Sequence, residues 1–196
     1  MNPHTHVVPN QRVWLRVADP DWEDALDARW AGRVGGRWNP PGSHPTLYLN
    51  ADLETARLQI LRLLEGTPVD IEDLADDAYV LVAATLPRDQ ECAVALTAVE
   101  LAAIGLPGDY PADGKSGLVP RSTCQPIGAE VKRLELRGLL VRSAVTPDGR
   151  GTELAWFPAT TRSRAHPVWE QPRGLSDWLD AESWEGVGLE PQAPVR

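Results

Sequence analysis

Cysteine is scarce: Cys92 and Cys124 are the only two in 196 residues. They form no CxxC pair and have no histidine at metal-ligand spacing, so neither a disulfide framework nor a zinc site organises the chain, and no metal is expected. Histidine is scarce too. His4 and His6 fall in a stretch that reads as a mobile end, while His44 and His166 each precede a proline in a loop. None is set beside a serine or cysteine as a nucleophilic triad requires. Long apolar runs are missing. No segment approaches the roughly 18 residues of a membrane span, and the opening "MNPHTHVVPN" lacks the basic region and apolar stretch of a secretory signal. The cytoplasm is therefore the expected location, with no membrane partner. Basic charge is also short: 19 Lys and Arg stand against 28 Asp and Glu, for a net charge of −9. Direct binding to nucleic acid, which needs a basic field, is excluded as a general activity. Finally, "DGKSG" (113–117) has the GKS of a phosphate loop, but Asp109 stands where Walker A needs its first glycine.

What is present points to a globular core, since 42% hydrophobic content over this length supports one buried interior. The expected boundaries are an extension over 1–11, a domain over 12–163 and a Pro/Trp-rich extension over 164–196. Alternation in "RVWLRV" (12–17) predicts a strand with Val13, Leu15 and Val17 on one face and Arg12, Trp14 and Arg16 on the other. Residues 21–32 read as a short helix ending at Gly32, and 45–50 as a strand. Asp52 then caps a helix carrying Ala56, Ile60, Leu63 and Leu64 on one stripe, which Gly66 stops. Strand 78–86, helix 95–105, loop 106–117, helix 124–138, strand 139–145, turn 146–151 and strand 152–159 follow. One short helix is expected within 176–184, in a tail that wraps or frays. Strands and helices mix without a βαβ rhythm, so the class is α+β.

The arginines carry the first chemical signal. In "GGRWNPPG" (35–42), Arg37 sits behind a glycine pair and before a proline turn. Glycines beside a charged side chain mark backbone that must come close to something, and a planar guanidinium suits a diphosphate or carboxylate. Arg16, Arg33 and Arg142 are further candidates. Other residues have plainer readings: Tyr48 as a strand aromatic, Gln59 as a polar residue at the edge of a core stripe, Cys124 as a small buried hydrophobe. Trp14, Trp22, Trp30 and Trp156 read as core.

Several position-specific matches then coincide. "LRVAD" (15–19), "GGRWNPPG", "TLYLN" (46–50), "CQPIGAEV" (124–131) and "LLVRSAV" with "TELAWFP" (139–158) together resemble the RES-domain family, toxins of bacterial Res/Xre toxin–antitoxin pairs. The resemblance runs from about Arg12 to Pro158. It implies a fold like that of ADP-ribosyltransferases, a mixed β-sheet core with flanking helices. It also implies a site for NAD+ as substrate, consumed by glycohydrolysis, phosphorolysis or ADP-ribosyl transfer, and a partner antitoxin of the Xre helix-turn-helix type. Carried over by position, Arg16 and Arg37 would hold the dinucleotide, Tyr48 would stack on nicotinamide and Ser143 would bond the nicotinamide ribose region.

One position departs from the family pattern. The family glutamate falls in an "A-x-x-E" segment that here reads Ala56 to Gln59, so the catalytic carboxylate is replaced by an amide. Cleavage of the ribose–nicotinamide bond develops positive charge on the sugar, and glutamine keeps a hydrogen bond but no charge. Helix neighbours Thr55, Ala56, Arg62 and Leu63 offer no acid, and Glu54 and Glu65 point elsewhere. Only a distant acid such as Glu130 or Glu153 could fold in. The catalytic set implied is thus Arg37, Tyr48, Gln59 and Ser143. The alternative is a silent RES fold that binds a nucleotide or antitoxin-like partner without turnover.

Overall fold

Strand β2 (Trp14–Ala18) is buried at all five positions. Leu15 and Val17 pack against helix α2 (Leu53–Leu64), together with Ala56 and Ile60, while Trp14 and Ala18 join a separate core on the other side. The expected alternation holds, but the face carrying Trp14 and Arg16 is as enclosed as its opposite. Helix α2 starts where the sequence places it: Asp52 has extended backbone and accepts a hydrogen bond from the Thr55 amide at 2.7 Å. Leu63 leaves the expected stripe and is exposed.

The computed structural model describes residues 1–115, 117–146, 148–160 and 162–194. Ser116 of the GKS stretch and Pro147 of the 146–151 turn lie outside them. One mixed sheet runs through the molecule. Besides β2 it contains β1 (His4–Val8), β3 (Leu47–Asn50), β4 (Val80–Thr85), β5 (Gln90–Ala95), β6 (Gly138–Arg142), β7 (Thr152–Trp156) and the two-residue β8 (His166–Pro167). Their order is β1-β5-β6-β7-β3-β2-β4-β8. Among the described residues only β5 and β6 are parallel, and the other pairings are antiparallel. β3 pairs with β7 over four positions and β2 with β4 over five, yet β2 and β3 meet at a single pair, Leu15 with Asn50. The sheet therefore opens between β2 and β3.

Four expectations are corrected. The N-terminal stretch forms a sheet strand in place of the loose end expected: His4 to Val8 pair with Val94 to Gln90. Residues 21–32 do not form one helix. Asp19, Asp24 and Asp27 accept the backbone amides of Asp21, Leu26 and Arg29 at 2.8–2.9 Å, and this side-chain bonding competes with helix formation. Helix α1 starts only at Arg29 and runs to Val34. Third, Ala95 belongs to β5, and α3 (Ala98–Ala103) begins after a capping box between Thr97 and Glu100. Helix α4 (Arg121–Arg133) begins three residues earlier than expected and ends before Glu135, whose φ is 64°.

Helices α3 and α4 cover β5, β6 and β7 through a core that includes Trp38, Tyr110, Cys124, Val131 and Phe157. Helix α2 and the C-terminal segment cover β2 and β4. In that segment α5 (Leu175–Trp178) and a 3-10 turn at Glu185–Val187 bury Leu175, Trp178 and Val187 against Leu15 and Leu81. The tail wraps, as one of its two sequence readings had it.

His44, in the loop before β3, sets its ring edge-on to Phe157 at 4.6 Å, and its Nε2 is buried without a hydrogen-bond partner. Burial, aided by Lys132, lowers its pKa to about 4. A histidine depressed in the folded state contributes stability above its unfolded pKa near 6.5, and that contribution is lost as pH falls toward 4. Melting of a His44→Gln variant should accordingly depend less on pH over this window than melting of the wild type. Parallel curves would contradict the assignment.

Candidate active site

The opening between β2 and β3 is the floor of a cleft of about 480 Å³. Direct cross-strand partners share a face of a sheet, so the register Asn50 to Glu153 and Tyr48 to Ala155 puts Tyr48, Asn50 and Glu153 on one side of the central strands. Helix α2 brings Gln59 and Arg62 to one wall, α4 brings Arg121 to another, and Gly35, Gly36 and Arg37 close the cleft beyond Tyr48.

Packing fixes the GGRWN loop in place. The Tyr48 hydroxyl donates to Asn39 Oδ1 at 2.7 Å and accepts from the Trp38 amide at 2.8 Å. The Asn39 amide in turn donates to the Ala31 carbonyl at 2.6 Å. Gly36 rides on the Tyr48 ring: a Cβ there would fall 2.7 Å from ring carbons. Gln125 donates to the Gly36 carbonyl at 3.0 Å, which ties α4 to the same loop. These contacts explain why glycine, asparagine and tyrosine stand in these segments.

Arg16 is 8% exposed. It fills the gap between the strands, its Nη1 donating to the Tyr48 carbonyl at 3.3 Å and its guanidinium 5.3 Å from the Trp22 ring. Burial lowers its pKa to about 10, partly offset by Asp24 and Asp27, so it stays charged. Among the described residues its Nε has no hydrogen-bond partner. Arg37 Nη1 donates to the Val119 carbonyl at 2.9 Å and lies 3.7 Å from Cys124 Sγ. Burial pulls on its proton, but Tyr110, Cys124 and Glu153 around it outweigh that pull and hold its pKa above the ordinary value.

Glu153 was reached in the sequence only as a distant acid. Its carboxylate accepts from Trp38 Nε1 at 3.0 Å on one oxygen and from Ser143 Oγ at 3.1 Å on the other. Part of its surface opens to the cleft and protein encloses the rest. Burial raises its pKa against the opposing pull of Trp38, Arg37 and Ser143. Glu130, the other distant acid considered, pairs with Arg133 on the outside of α4 and does not line the cleft.

The structure brings Arg16, Arg37, Tyr48 and Gln59 to one cleft. Ser143 stands behind it, fully buried, with its hydroxyl given to Glu153. Arg142 is a structural tie, bonding the carbonyls of Leu96, Gly108 and Tyr110. Trp14 and Trp156 are core residues as expected, but Trp22 and Trp30 are not. They are 37% and 47% exposed, stand 6.5 Å apart and line the cleft mouth, with Arg33 5.3 Å from the Trp30 ring. Asn50, Arg62 and Arg121 were missed as well. Arg121 sits only three residues before the "CQPIGAEV" segment, yet nothing local marks it as facing a cleft.

A family model described as the RES domain matches residues 13–177. The chain belongs to the RES domain family. Two curated RES relatives, the proteins named NAD(+) phosphorylase MbcT in Mycobacterium bovis and in Mycobacterium tuberculosis, are each 31% identical over 123 residues. The match spans 62% of this chain and 62% of each relative. Among solved structures, that of the M. tuberculosis MbcT–MbcA toxin–antitoxin complex is similar with a TM-score of 0.66 and 25% identity, covering 86% of both chains. This RES domain has the expected α+β architecture, a mixed eight-stranded sheet flanked by helices. Among the described residues no helix is long and apolar enough to cross a membrane.

Proposed function

We propose that the cleft binds NAD+ and that the protein consumes it, with phosphorolysis as the leading reaction, as the toxin of a toxin–antitoxin pair. The observation that carries this reading is the composition of one cleft. Arg16, Arg37, Arg62 and Arg121 supply positive charge around an opening in the sheet, and Tyr48, Trp22 and Trp30 supply aromatic faces. A dinucleotide needs both: guanidinium forks for its diphosphate and flat apolar surfaces for its rings. Arg16, with an unpartnered Nε in the gap, and Arg37 are the leading diphosphate ligands. Tyr48 is assigned to nicotinamide. Its tied hydroxyl leaves the ring, not the oxygen, to meet a ligand. The names of the relatives support NAD+ as substrate and phosphate as acceptor, and the similar complex supports an antitoxin partner. We assign that partner to the Xre helix-turn-helix type, and the site of action to the cytoplasm.

Phosphorolysis breaks the bond between ribose C1″ and the nicotinamide nitrogen. The electron pair leaves with nicotinamide, which departs neutral, and a phosphate oxygen bonds C1″. The protein's part is to hold the diphosphate, orient the nicotinamide ribose and face the developing cation with negative charge. Isothermal titration with NAD+ tests the binding step, with heat from one site per chain expected. A flat titration at every NAD+ concentration would overturn the reading.

A further inference from the structure

We propose that Glu153 is the carboxylate that stabilises the ribosyl cation in this protein, in place of the family acid that position 59 lacks; the assignment rests on the reading of the cleft as an NAD+ site. Among the described residues Glu153 is the only Asp or Glu lining the cleft. Its position is tied to that of Gln59. Asn50 lies directly across from Glu153 in the β3–β7 ladder, where Cβ atoms stand about 4.5–5.5 Å apart. The Asn50 amide donates to Gln59 Oε1 at 2.8 Å. Gln59 and Glu153 thus flank the same asparagine, and a sugar placed to use an acid at 59 is within one side-chain length of the acid at 153.

The two polar groups divide the work. Gln59 lines the cleft with its oxygen committed to Asn50, and its amide brings no charge. Glu153 has one oxygen held by Trp38 and the other by Ser143, which orients it while leaving lone pairs for a ribose hydroxyl and for the cation at C1″. The two hydrogen bonds to Glu153 do not themselves need a charge, although the carboxylate also faces the Arg37 guanidinium. A glutamine at 153 could accept from the Trp38 indole and donate to the Ser143 hydroxyl, and it would avoid the desolvation cost of an enclosed carboxylate. Arg37 balances part of that charge, and because Glu153 is the one acid among the described residues lining the cleft, it is the charge a developing cation there would meet. In the step proposed, C1″–N cleavage sends the electron pair out with nicotinamide, the carboxylate faces the oxocarbenium-like sugar, and phosphate or water forms the new C1″–O bond. With water, the released proton passes to Glu153 or to solvent. Burial raises the Glu153 pKa, so the ionised, working form grows as pH rises.

The test compares wild type, Glu153→Gln, Gln59→Glu and the double variant by NAD+ loss, NAD+ titration calorimetry and thermal melting. Glu153→Gln is expected to lower kcat by roughly 10²–10³-fold, the scale of other lost electrostatic contacts, with binding and melting nearly unchanged. In the wild type, the rate should rise with pH through a midpoint above the ordinary carboxylate range, and Glu153→Gln should abolish that limb. Adding Gln59→Glu to Glu153→Gln should restore part of the rate. A Glu153→Gln rate within about fivefold of wild type, or a wild type that binds NAD+ but turns over only after Gln59→Glu, would overturn the assignment while leaving the NAD+ site standing. A protein that neither binds nor consumes NAD+ would remove both. Ser143→Ala keeps the carboxylate and removes one donor, so it should move the pH midpoint upward; an unmoved midpoint would also overturn the assignment.

Discussion

A Gly128→Ala variant is expected to be less stable than the wild type by up to about 2 kcal/mol and to bind NAD+ more weakly. Alanine should favour α4 locally, since glycine inside a helix is worse by about 1 kcal/mol. The packing reverses this sign. Gly128 lies against the backbone of Trp38, and a Cβ would fall 2.7 Å from the Trp38 carbonyl carbon and 3.1 Å from its Cα. Backbone cannot rotate away as a side chain does, so α4 or the GGRWN loop must shift. Overpacking of this kind costs about 1–3 kcal/mol. A shifted loop also carries the Trp38 indole away from Glu153 and loosens Arg37. Denaturant unfolding measures the stability change and calorimetry the affinity. A variant as stable as the wild type would mean that α4 does not rest on the loop.

Replacing Arg37 by alanine is expected to weaken NAD+ binding by roughly tenfold or more. A hydrogen bond to a charged group contributes about 1.5–3 kcal/mol, and each 1.4 kcal/mol is a factor of ten in affinity. Some stability is lost as well, because Arg37 also satisfies the Val119 carbonyl, a bond of the same charged kind and about the same 1.5–3 kcal/mol. The two effects are separable. Arg142→Ala removes carbonyl ties of the same kind outside the cleft and should lower stability without lowering affinity. Equal affinity losses in the two variants would place Arg37 among the scaffold residues.

Much of the site was legible in the sequence because its motifs are local. Asp52 caps α2 by a three-residue contact, and "GGRWN" folds onto Tyr48 only about ten positions away. Gln59 stands out only through the resemblance to the family's "A-x-x-E" segment, which falls on α2. Other features depended on distant partners. Glu153 sits in a strand that reads as apolar, and its meaning comes from Trp38, 115 positions earlier. Trp22 and Trp30 look like core by composition; only the absence of a pairing strand beyond Leu15 and Asn50 leaves them facing a cleft. β1 was missed because it lies at a sheet edge, where one exposed side tolerates His4 and Thr5 and blurs the apolar pattern. The short helix expected over 21–32 failed through the opposite cause, local aspartate bonding that no hydrophobic period records.

The opening in the sheet links these observations. Where β2 and β3 stop pairing, a charged arginine takes the space of ladder hydrogen bonds, and Glu153 of β7 is partly open to the cleft. Arg16, Asn50 and Glu153 line the cleft that this open seam leaves.

The most direct measurement is the fate of NAD+ incubated with the purified protein, followed by liquid chromatography and mass spectrometry with and without inorganic phosphate. The expected result is loss of NAD+ with one nicotinamide released for each molecule consumed, faster with phosphate present and yielding a phosphorylated ADP-ribose. NAD+ that stays intact under both conditions would contradict the central claim that this cleft cleaves it.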